Sequence, residues 1–568
     1  MTPGLPSRSS AERASGCAAP YKAGPVNVPS SSFPGKLADV LVADMDGDGN
    51  PDIVFANGND TSKGDVHVLY GPFHGRASAS WSSNASDYYR RLAIGDVNND
   101  GFLDIAVAVE PGLTAGPLDC TSRPASPLPV VPHHEHFSLD AAPSHGSNVN
   151  CDGETILGST NPPEVDAILA PWHGENRPIA VAIFLNRGSG EPRDFGSTPS
   201  QAFTYQIPAN ASAQDKSALA AAPLGAVSVD FGDYDGDGWL DIAVAGGSIA
   251  RHYSVPVQTL KNDHGTFLPS PKGWRSTARF LTYSVRFLDW NGDGLIDLLA
   301  TTQIGKQWGL LFEGQLKPGK SPTLSTKPAK TDFSFATKCA LVVATDALTA
   351  PDGSHVVIAA AVNGKAAAAT GGLEGPGVIL QGPGGAKTVP ISPSLVSGVR
   401  FVDLDGDRLT DLLAPNWNSS TSTAEEAVAG PILCAGSALA GDTVLETALQ
   451  NLTGASSFSQ GIGVGDVDRA ARFKTQTAPM SCINSKARRY VIPIVEPNIE
   501  NVDSVTVNGS LLSVGQYAST PNGRVIYITG GLSCSQTAVA TVEYTRSPDV
   551  IVGDFSDCGA PLKLLLHN

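Results

Sequence analysis

The sequence predicts an all-β protein: a seven-bladed β-propeller with calcium loops, plus a small inserted β-sandwich-like domain. Three observations predict this fold: five copies of one aspartate-rich nonapeptide, short apolar runs on both sides of each copy, and a spacing close to 57 residues between copies. The composition agrees, because 60 glycines, 42 prolines and 41% apolar residues are typical of a loop-rich β protein with a packed core.

The five nonapeptides are named here loop 1 (44–52), loop 2 (96–104), loop 3 (233–241), loop 4 (289–297) and loop 5 (403–411). Aspartate or asparagine fills positions 1, 3, 5 and 9, which supplies the all-oxygen shell that calcium prefers. The residue at position 7 varies in chemistry, so we expect only its backbone carbonyl to bind. The predicted ligands of about five calcium ions are Asp44, Asp46, Asp48, Asn50 and Asp52; Asp96, Asn98, Asp100, Phe102 and Asp104; Asp233, Asp235, Asp237, Trp239 and Asp241; Asp289, Asn291, Asp293, Leu295 and Asp297; and Asp403, Asp405, Asp407, Leu409 and Asp411.

The residues around each loop predict strands rather than helices. Apolar residues alternate before every loop, as in Val40 and Val42, and a short apolar run such as Ile53–Phe55 follows it. An EF-hand would need a glutamate at position 12 and flanking helices, and position 12 is apolar in all five copies. Glycine at position 6 allows a positive φ in four loops, whereas loop 5 has Arg408 there.

The spacing between loops predicts the number of blades. The first aspartates of loops 1 and 2 are 52 residues apart and those of loops 3 and 4 are 56 apart, whereas loops 4 and 5 are separated by 114, twice 57. A repeat without ligands is therefore expected near Asp346, and another near Asp466. Units of this length made of short strands are typical of propeller blades, so seven starts predict seven blades. The run from Val550 resembles an eighth motif, and eight blades stay an alternative.

These boundaries divide the chain into a Ser/Pro-rich segment (1–36), the propeller (37–470), a β-sandwich-like insertion (471–547) and closing propeller strands (548–568).

The aspartate loops and their flanking strands resemble the FG-GAP/VCBS repeat proteins, which include the integrin α-subunit propellers and many exported bacterial propellers. The resemblance covers residues 37–470 and 549–568. It implies that the calcium loops lie on one face and that partners bind largely on the other. It also implies an extracellular binding or adhesion role for a protein or glycan partner.

The net charge of −17 is explained by the loops. They contain 18 aspartates at the four ligand positions, which leaves 37 acidic residues against 38 lysines and arginines. The remaining surface therefore carries no basic patch of the kind that nucleic acid requires. No stretch approaches the roughly 18 apolar residues of a membrane-spanning segment.

Calcium loops and cysteines favour a secreted or cell-surface location. Calcium is plentiful outside cells, and eight cysteines form an even set for which disulfides are favoured over free thiols. The pair Cys120 and Cys151 is the favoured bridge. The amino terminus shows no apolar signal segment, and Cys17 after Ala-Ser-Gly leaves a lipid-anchored or periplasmic form as alternatives.

Two insertions distinguish this chain from a plain propeller. The segment 110–178 should emerge opposite the calcium loops, and its His133, His134 and His136 could hold a transition metal or lie in a polar loop without one. The segment 471–547 should leave from the calcium face, and its four apolar runs separated by glycine turns predict an antiparallel β-sandwich. This domain could dock a neighbouring subunit of a surface assembly.

The sequence contains no catalytic motif of the hydrolase, zinc-protease, Walker or Rossmann type. We therefore expect a binding scaffold rather than an enzyme. The alternative is a carbohydrate-active enzyme, a polysaccharide lyase or glycoside hydrolase on a propeller fold. Such an enzyme should bring histidine, tyrosine and arginine side chains or paired carboxylates together in a pocket at the centre of the propeller.

Overall fold

The computed structural model describes residues 26–28, 37–110, 180–203, 225–246, 255–333, 341–349, 356–402, 410–417 and most strands between 433 and 565, with short gaps inside these ranges. The described residues form 42 β-strands and no helix, which confirms the all-β prediction. All strand pairs are antiparallel, and most strands belong to four-stranded sheets.

Sheets 1 to 3 each contain four strands in sequence order. Sheet 1 comprises β2 (Leu37–Ala43), β3 (Asp52–Asn57), β4 (Val66–Tyr70) and β5 (Ala79–Ser82). Sheet 2 comprises β6 (Tyr89–Gly95), β7 (Asp104–Val109), β8 (Val181–Phe184) and β9 (Gln201–Phe203). Sheet 3 comprises β10 (Ala226–Gly232), β11 (Asp241–Gly246), β12 (Gln258–Asp263) and β13 (Thr266–Leu268).

Sheets 4 to 6 follow the same order and are accompanied by short side pairs. Sheet 4 has β14 (Thr282–Leu288), β15 (Asp297–Thr302) and β16 (Gly309–Phe312), with the pair β17 (Gly314–Gln315) and β18 (Thr323–Leu324). Sheet 5 has β19 (Leu341–Thr349), β20 (Val356–Asn363), β23 (Gly377–Gly382) and β24 (Gly385–Pro390), with the pair β21 (Ala367–Ala368) and β22 (Gly371–Gly372). Sheet 6 has β26 (Arg400–Val402), β27 (Thr410–Ala414), β29 (Leu433–Ala440), β30 (Thr443–Val444) and β31 (Leu449–Asn451), with the pair β25 (Leu395–Val396) and β28 (Asn416–Trp417).

Sheet 7 joins strands from both ends of the described chain. Its order is β32 (Ser459–Gly465), β41 (Asp549–Asp554), β42 (Leu562–Leu565) and β1 (Val26–Val28). The run from Val550 thus pairs with β32 in one sheet, as expected of strands that close the last repeat. The sequence predicts that residues 1–36 lie outside the repeats, whereas β1 pairs with β42 in this sheet.

The segment between β32 and β41 contains two further four-stranded sheets. One has the order β33 (Arg472–Gln476), β40 (Ala540–Thr545), β36 (Val502–Val507) and β37 (Ser510–Leu511). The other has the order β34 (Cys482–Asn484), β35 (Arg489–Pro493), β39 (Val525–Ile528) and β38 (Tyr517–Ser519). Two antiparallel sheets are the components of the predicted β-sandwich, whose assembly stays a prediction.

The hydrophobic cores lie between consecutive sheets. Separate clusters of buried apolar side chains join sheets 1 and 2, 2 and 3, 3 and 4, 4 and 5, and 5 and 6. A further cluster joins sheet 7 to sheet 1 through Ile551 and Phe55. The second strands of the sheets, such as β3 and β11, are buried on both faces, which explains the continuous apolar runs after the loops.

The first strands of the sheets also contact one another in sequence, from β2 through β6, β10, β14 and β19 to β26, and β32 contacts β2. A cavity lies among them and receives residues from the first-strand regions of all seven sheets. Its charged side chains are Asp39, Arg91, Asp230, Arg286 and Arg400.

The repeat predicted near residue 346 is a sheet, but the segment between its first two strands starts at residue 349 instead of 346. Residues before loops 1 to 4 pair with position 9, as Gly232 pairs with Asp241. In sheet 5 the same register pairs Leu348 with Val357, so the corresponding nine-residue segment is 349–357. Asp346 therefore lies inside β19, at the register of Asp230 in β10.

Candidate metal centre

Loops 1 to 4 connect the first and second strands of sheets 1 to 4 at equivalent places. In each sheet, the last residue of the first strand pairs with the aspartate at position 9, as Ala43 does with Asp52 and Leu288 with Asp297. The antiparallel register thus brings the loop's two ends together, so that positions 1 to 9 fold over the end of the sheet.

Backbone amides fix the carboxylates within each loop. In loops 2, 3 and 4 the aspartate at position 1 accepts hydrogen bonds from the N–H groups of positions 5 and 6, at 2.8 to 3.1 Å. In all four loops the aspartate at position 5 accepts the N–H of position 7, at 2.7 to 3.0 Å. These contacts hold the carboxylates of positions 1 and 5 in a repeated orientation.

Two positions in each of loops 2, 3 and 4 take a positive φ, and the glycine pattern at position 6 predicted one of them. Position 6 has φ between 80° and 93° in loops 2, 3 and 4, which confirms the glycine prediction for Gly101, Gly238 and Gly294. Position 4 is also left-handed, with Gly47, Gly236 and Gly292 near 70° and Asn99 at 54°. The signal was visible in the sequence, because position 4 is glycine or asparagine in every loop.

Position 9 is the most buried part of the site. Asp52, Asp104, Asp241, Asp297 and Asp411 are all 0% exposed. In loops 1 to 4 this aspartate accepts a backbone N–H from the end of the sheet's third-strand region, at 2.6 to 2.8 Å. In loops 1, 2 and 4 it also accepts the N–H of position 2, at 2.7 to 3.0 Å. Position 9 therefore joins the loop to the sheet interior.

Burial raises the pKa values of the position-9 aspartates in loops 1 to 4. The pKa of Asp52 rises to about 8 and that of Asp297 to about 7, because burial outweighs the backbone N–H groups that lower them. The pKa of Asp241 lies well above its ordinary value, mainly through burial and then through Asp235 and Asp233 nearby. Clustered buried carboxylates of raised pKa are an arrangement that a divalent cation would stabilise in the ionised form.

Two regions of the chain match a protein family model described as FG-GAP-like repeat, residues 44–107 and 233–300. The first region spans loops 1 and 2, and the second spans loops 3 and 4. This chain contains FG-GAP-like repeats. The resemblance inferred from the aspartate loops is therefore confirmed for these two regions.

Comparison with solved structures gives distant likenesses to this chain. One is described as a crystal structure of BBS1N in complex with ARL6DN, soaked with lead; it has 9% identity and a TM-score of 0.39, and the match covers 89% of this chain and 98% of that one. The same complex soaked with mercury has 9% identity and a TM-score of 0.37, with coverage of 90% and 99%. No curated protein matches this chain.

The FG-GAP-like loops bring carboxylates close enough to share a cation. One carboxylate oxygen each from Asp44, Asp46 and Asp48 lies within 4.8 Å of the others, and the same holds for Asp233, Asp235 and Asp237. In loops 2 and 4, asparagine replaces the aspartate at position 3 and contacts the carboxylate of position 5, at 2.9 and 3.0 Å.

Loop 3 also has buried carboxylate oxygens that a cation could contact. Asp241 Oδ2 and Asp235 Oδ1 are buried oxygens with no hydrogen-bond partner. A buried carboxylate oxygen without a partner is costly unless an ion contacts it. The donor set of loop 3 therefore fits calcium, with carboxylates at positions 1, 3, 5 and 9.

Two asparagines that sequence analysis missed connect neighbouring FG-GAP-like loops. The side-chain amide of Asn186 donates to Met45 O in loop 1 at 2.8 Å and to Leu103 O in loop 2 at 3.3 Å. The amide of Asn262 repeats this one sheet further on, donating to position 2 of loop 2 at 2.6 Å and position 8 of loop 3 at 2.9 Å. Loops 1, 2 and 3 are thus joined into one hydrogen-bonded series.

Several predicted features lie outside the described residues. These are Asp403, Asp405, Asp407 and Leu409 of loop 5, the histidines 133, 134 and 136, and the side chains of all eight cysteines. The predictions for them stand untested. The described part of the chain contains no helix with the length and apolar character that a membrane crossing requires.

Proposed function

We propose that this protein is an extracellular, calcium-stabilised β-propeller that serves as a binding scaffold for protein or glycan partners. The observation that carries the proposal is the repeated loop, in which a fully buried aspartate at position 9 stands beside a cluster of further carboxylates. FG-GAP-like repeats are typical of extracellular proteins, where calcium is plentiful enough to fill loops of moderate affinity.

Seven blades are the architecture that best accounts for the sheets. Seven sheets follow one another along the chain, and the first-strand regions of all seven line one cavity. The contact of β32 with β2 brings sheet 7 beside sheet 1. Pairing of β1 with β42 would then complete the last blade with a strand from the start of the chain, which resists opening of the ring.

Calcium would be held by the side chains of positions 1, 3, 5 and 9 and the carbonyl of position 7. When bound, it supplies positive charge to carboxylates whose ionised form is otherwise disfavoured by burial. The protein's own contribution is orientation: backbone amides hold positions 1 and 5, and the sheet holds position 9. About five ions would fill the five loops.

Partners are proposed to bind the face opposite the calcium loops. The long segment after β7 leaves sheet 2 at Val109, at the far end of this strand from Asp104. Val109 N–H donates to Ala180 O at 2.8 Å, so the segment also returns at that end. The two sheets inserted between β32 and β41 supply a separate surface, which we assign to docking within a surface assembly.

The central cavity supports a scaffold more than the alternative carbohydrate-active enzyme. Its two acidic side chains are already engaged in contacts between sheets. Asp39 accepts the N–H of Leu92 at 2.9 Å and pairs with Arg91 at 3.3 Å, and Asp230 accepts the N–H of Phe287 at 2.7 Å. Carboxylates bound in this way hold strands together and are poorly placed to transfer protons to a substrate.

The calcium part of the proposal is tested by titration calorimetry and thermal unfolding of the full chain. We expect about five calcium ions to bind, magnesium to bind more weakly, and chelator to lower the melting temperature sharply. Each site filled at a calcium concentration a hundredfold above its Kd adds about 2.7 kcal/mol to the free energy of unfolding. An unchanged melting temperature in chelator would contradict the proposal.

The binding part is tested by applying the calcium-loaded chain to immobilised glycans and extracellular proteins, with chelator-treated chain as the control. We expect binding that requires calcium and that releases no modified sugar. Cleavage of a polysaccharide by the purified chain would favour the enzyme alternative.

A further inference from the structure

A lysine ammonium contacts two of the predicted calcium ligands of loop 3. Lys261 lies on β12, and its Nζ forms ion pairs with Asp235 Oδ2 and, at 2.9 Å, with Asp237 Oδ2. These carboxylates are positions 3 and 5 of the loop, and both belong to the cluster that could hold a cation. The lysine side chain is 26% exposed, so the pair is partly shielded from water.

The lysine is specific to loop 3 among the loops that the structure describes. In each sheet, one residue at the end of the third-strand region donates its N–H to position 9: Gly71, Asn186, Asn262 and Gly314. The residue just before it is Tyr70, Leu185, Lys261 and Glu313 in turn. Loops 1, 2 and 4 therefore have no cationic side chain at this position.

The contact divides the oxygens of loop 3 into two groups. Lys261 takes Oδ2 of Asp235 and Asp237, whereas Asp235 Oδ1 and Asp241 Oδ2 are buried without a hydrogen-bond partner. A calcium ion that uses all four carboxylates must share two of them with the ammonium group. The ammonium charge also repels a divalent ion a few ångströms away, and partial burial weakens the screening of that repulsion.

We propose that Lys261 is a tethered competitor of calcium at loop 3. It lowers the calcium affinity of this loop relative to loops 1, 2 and 4 by about tenfold. Loop 3 then gains and loses calcium at concentrations at which the other loops stay filled, and calcium entry moves the Lys261 side chain away from Asp235 and Asp237. This inference rests on the proposed calcium function and adds a regulated site to it.

Calcium titration of the full chain tests the affinity. Lys261→Met keeps the length of the side chain and removes its charge, and Lys317→Met, at an exposed lysine between β17 and β18, is the matched control for net charge. We expect Lys261→Met to tighten one calcium site about tenfold and Lys317→Met to leave every site unchanged. Equal or weaker binding by Lys261→Met would overturn the proposal. Lys261→Gln, which restores polarity, guards against a packing defect in the methionine variant.

Amine labelling with mass spectrometry tests the movement of Lys261 independently of affinity. Calcium should raise the labelling of Lys261 several-fold in the wild-type chain and leave Lys317 unchanged. If calcium binds at the other loops while Lys261 labelling stays constant, the inference fails and the proposed function stands. If no calcium binds to wild type or to either variant, the proposed function itself fails.

Discussion

Sheets 3 and 5 have the same register but opposite chemistry between their first and second strands. In sheet 3 the residue before the loop pairs with Asp241, and in sheet 5 the equivalent residue pairs with Val357. Positions 1, 3 and 5 of the segment in sheet 5 are Thr349, Pro351 and Gly353. A first and second strand thus pair in the same way with carboxylates at positions 1, 3, 5 and 9 or with none at those four positions.

The two sheets share a different aspartate. Asp230 in β10 and Asp346 in β19 occupy equivalent register positions, and both are buried. Each accepts the backbone N–H of a phenylalanine in the first strand of the next sheet at 2.7 Å: Phe287 for Asp230 and Phe401 for Asp346. Asp346 also lies 3.6 Å from Arg286.

Aspartates therefore have two structural roles, here called two devices, which the sequence alone does not distinguish. The loop aspartates cluster at the end of a sheet and suit a cation. The strand aspartates join one sheet to the next through backbone hydrogen bonds and arginine. Loss of the first device should make stability independent of calcium at that sheet, whereas loss of the hydrogen bond that a strand aspartate accepts should change stability equally with calcium and with chelator.

The largest effect is expected from Asp346→Ala. It leaves the N–H of Phe401 without its carboxylate and removes the buried acidic partner 3.6 Å from Arg286, so we expect a loss of about 3–5 kcal/mol in the free energy of unfolding. The loss should be equal with calcium and with chelator, measured by denaturant unfolding. A loss that appears only with calcium would mean that Asp346 belongs to a metal site.

Asp241→Asn is the matched variant for this comparison. Asp241 is buried and its pKa is raised, mainly by burial, so the neutral amide should cost little in chelator. With calcium it should remove the stabilisation from loop 3, about 2.7 kcal/mol at a calcium concentration a hundredfold above Kd. Equal losses for both variants in both conditions would remove the distinction between the two devices.

The loops and their flanking strands could be predicted from sequence because each is local. Nine adjacent residues define a loop, and alternation of apolar residues places β2 before loop 1 and β3 after it. The sequence predicts a loop that starts at Asp346, three residues too early, because only strand pairing fixes the register. The sequence alone does not distinguish an aspartate in a strand from an aspartate in a loop.

Contacts between residues far apart in the sequence could not be predicted, because they depend on which strands pair and in which register. Asn186 is 141 residues from Met45, and Lys261 is 26 residues from Asp235. The connection between the second and third strands differs in length from sheet to sheet, so counting residues does not place Lys261 beside loop 3. The pairing of β1 with β42 is similarly remote in sequence.

The next effect concerns pH and Asp230. Burial raises its pKa to about 6 although Arg286 lowers it. Because the folded pKa exceeds the unfolded value of 3.8, Asp230 favours folding most below pH 4, and this contribution is lost as pH rises to about 6. The shift corresponds to about 3 kcal/mol. Asp230→Asn should match wild type near pH 4 and be relatively more stable by up to that amount near pH 7, as measured by urea unfolding in chelator. A difference that does not change with pH would contradict the assignment.

The smallest effect is expected from Asn262→Ala, which breaks the link between loops 2 and 3. The side-chain amide of Asn262 donates to Val97 O and Leu240 O, and both contacts are buried. Their loss leaves two carbonyls unsatisfied, so we expect about 1–3 kcal/mol of destabilisation. Because Val97 and Leu240 belong to different loops, the variant should also weaken calcium binding at both loops, as measured by calorimetry.

Asn262→Asp is the sharper comparison. It keeps the size of the side chain, loses both N–H donors and adds a charge, so it should destabilise the protein more than Asn262→Ala. Loops 3 and 4 lack this link, since Gly314 stands at the position of Asn262, and calcium binding at loop 4 should be unchanged in both variants.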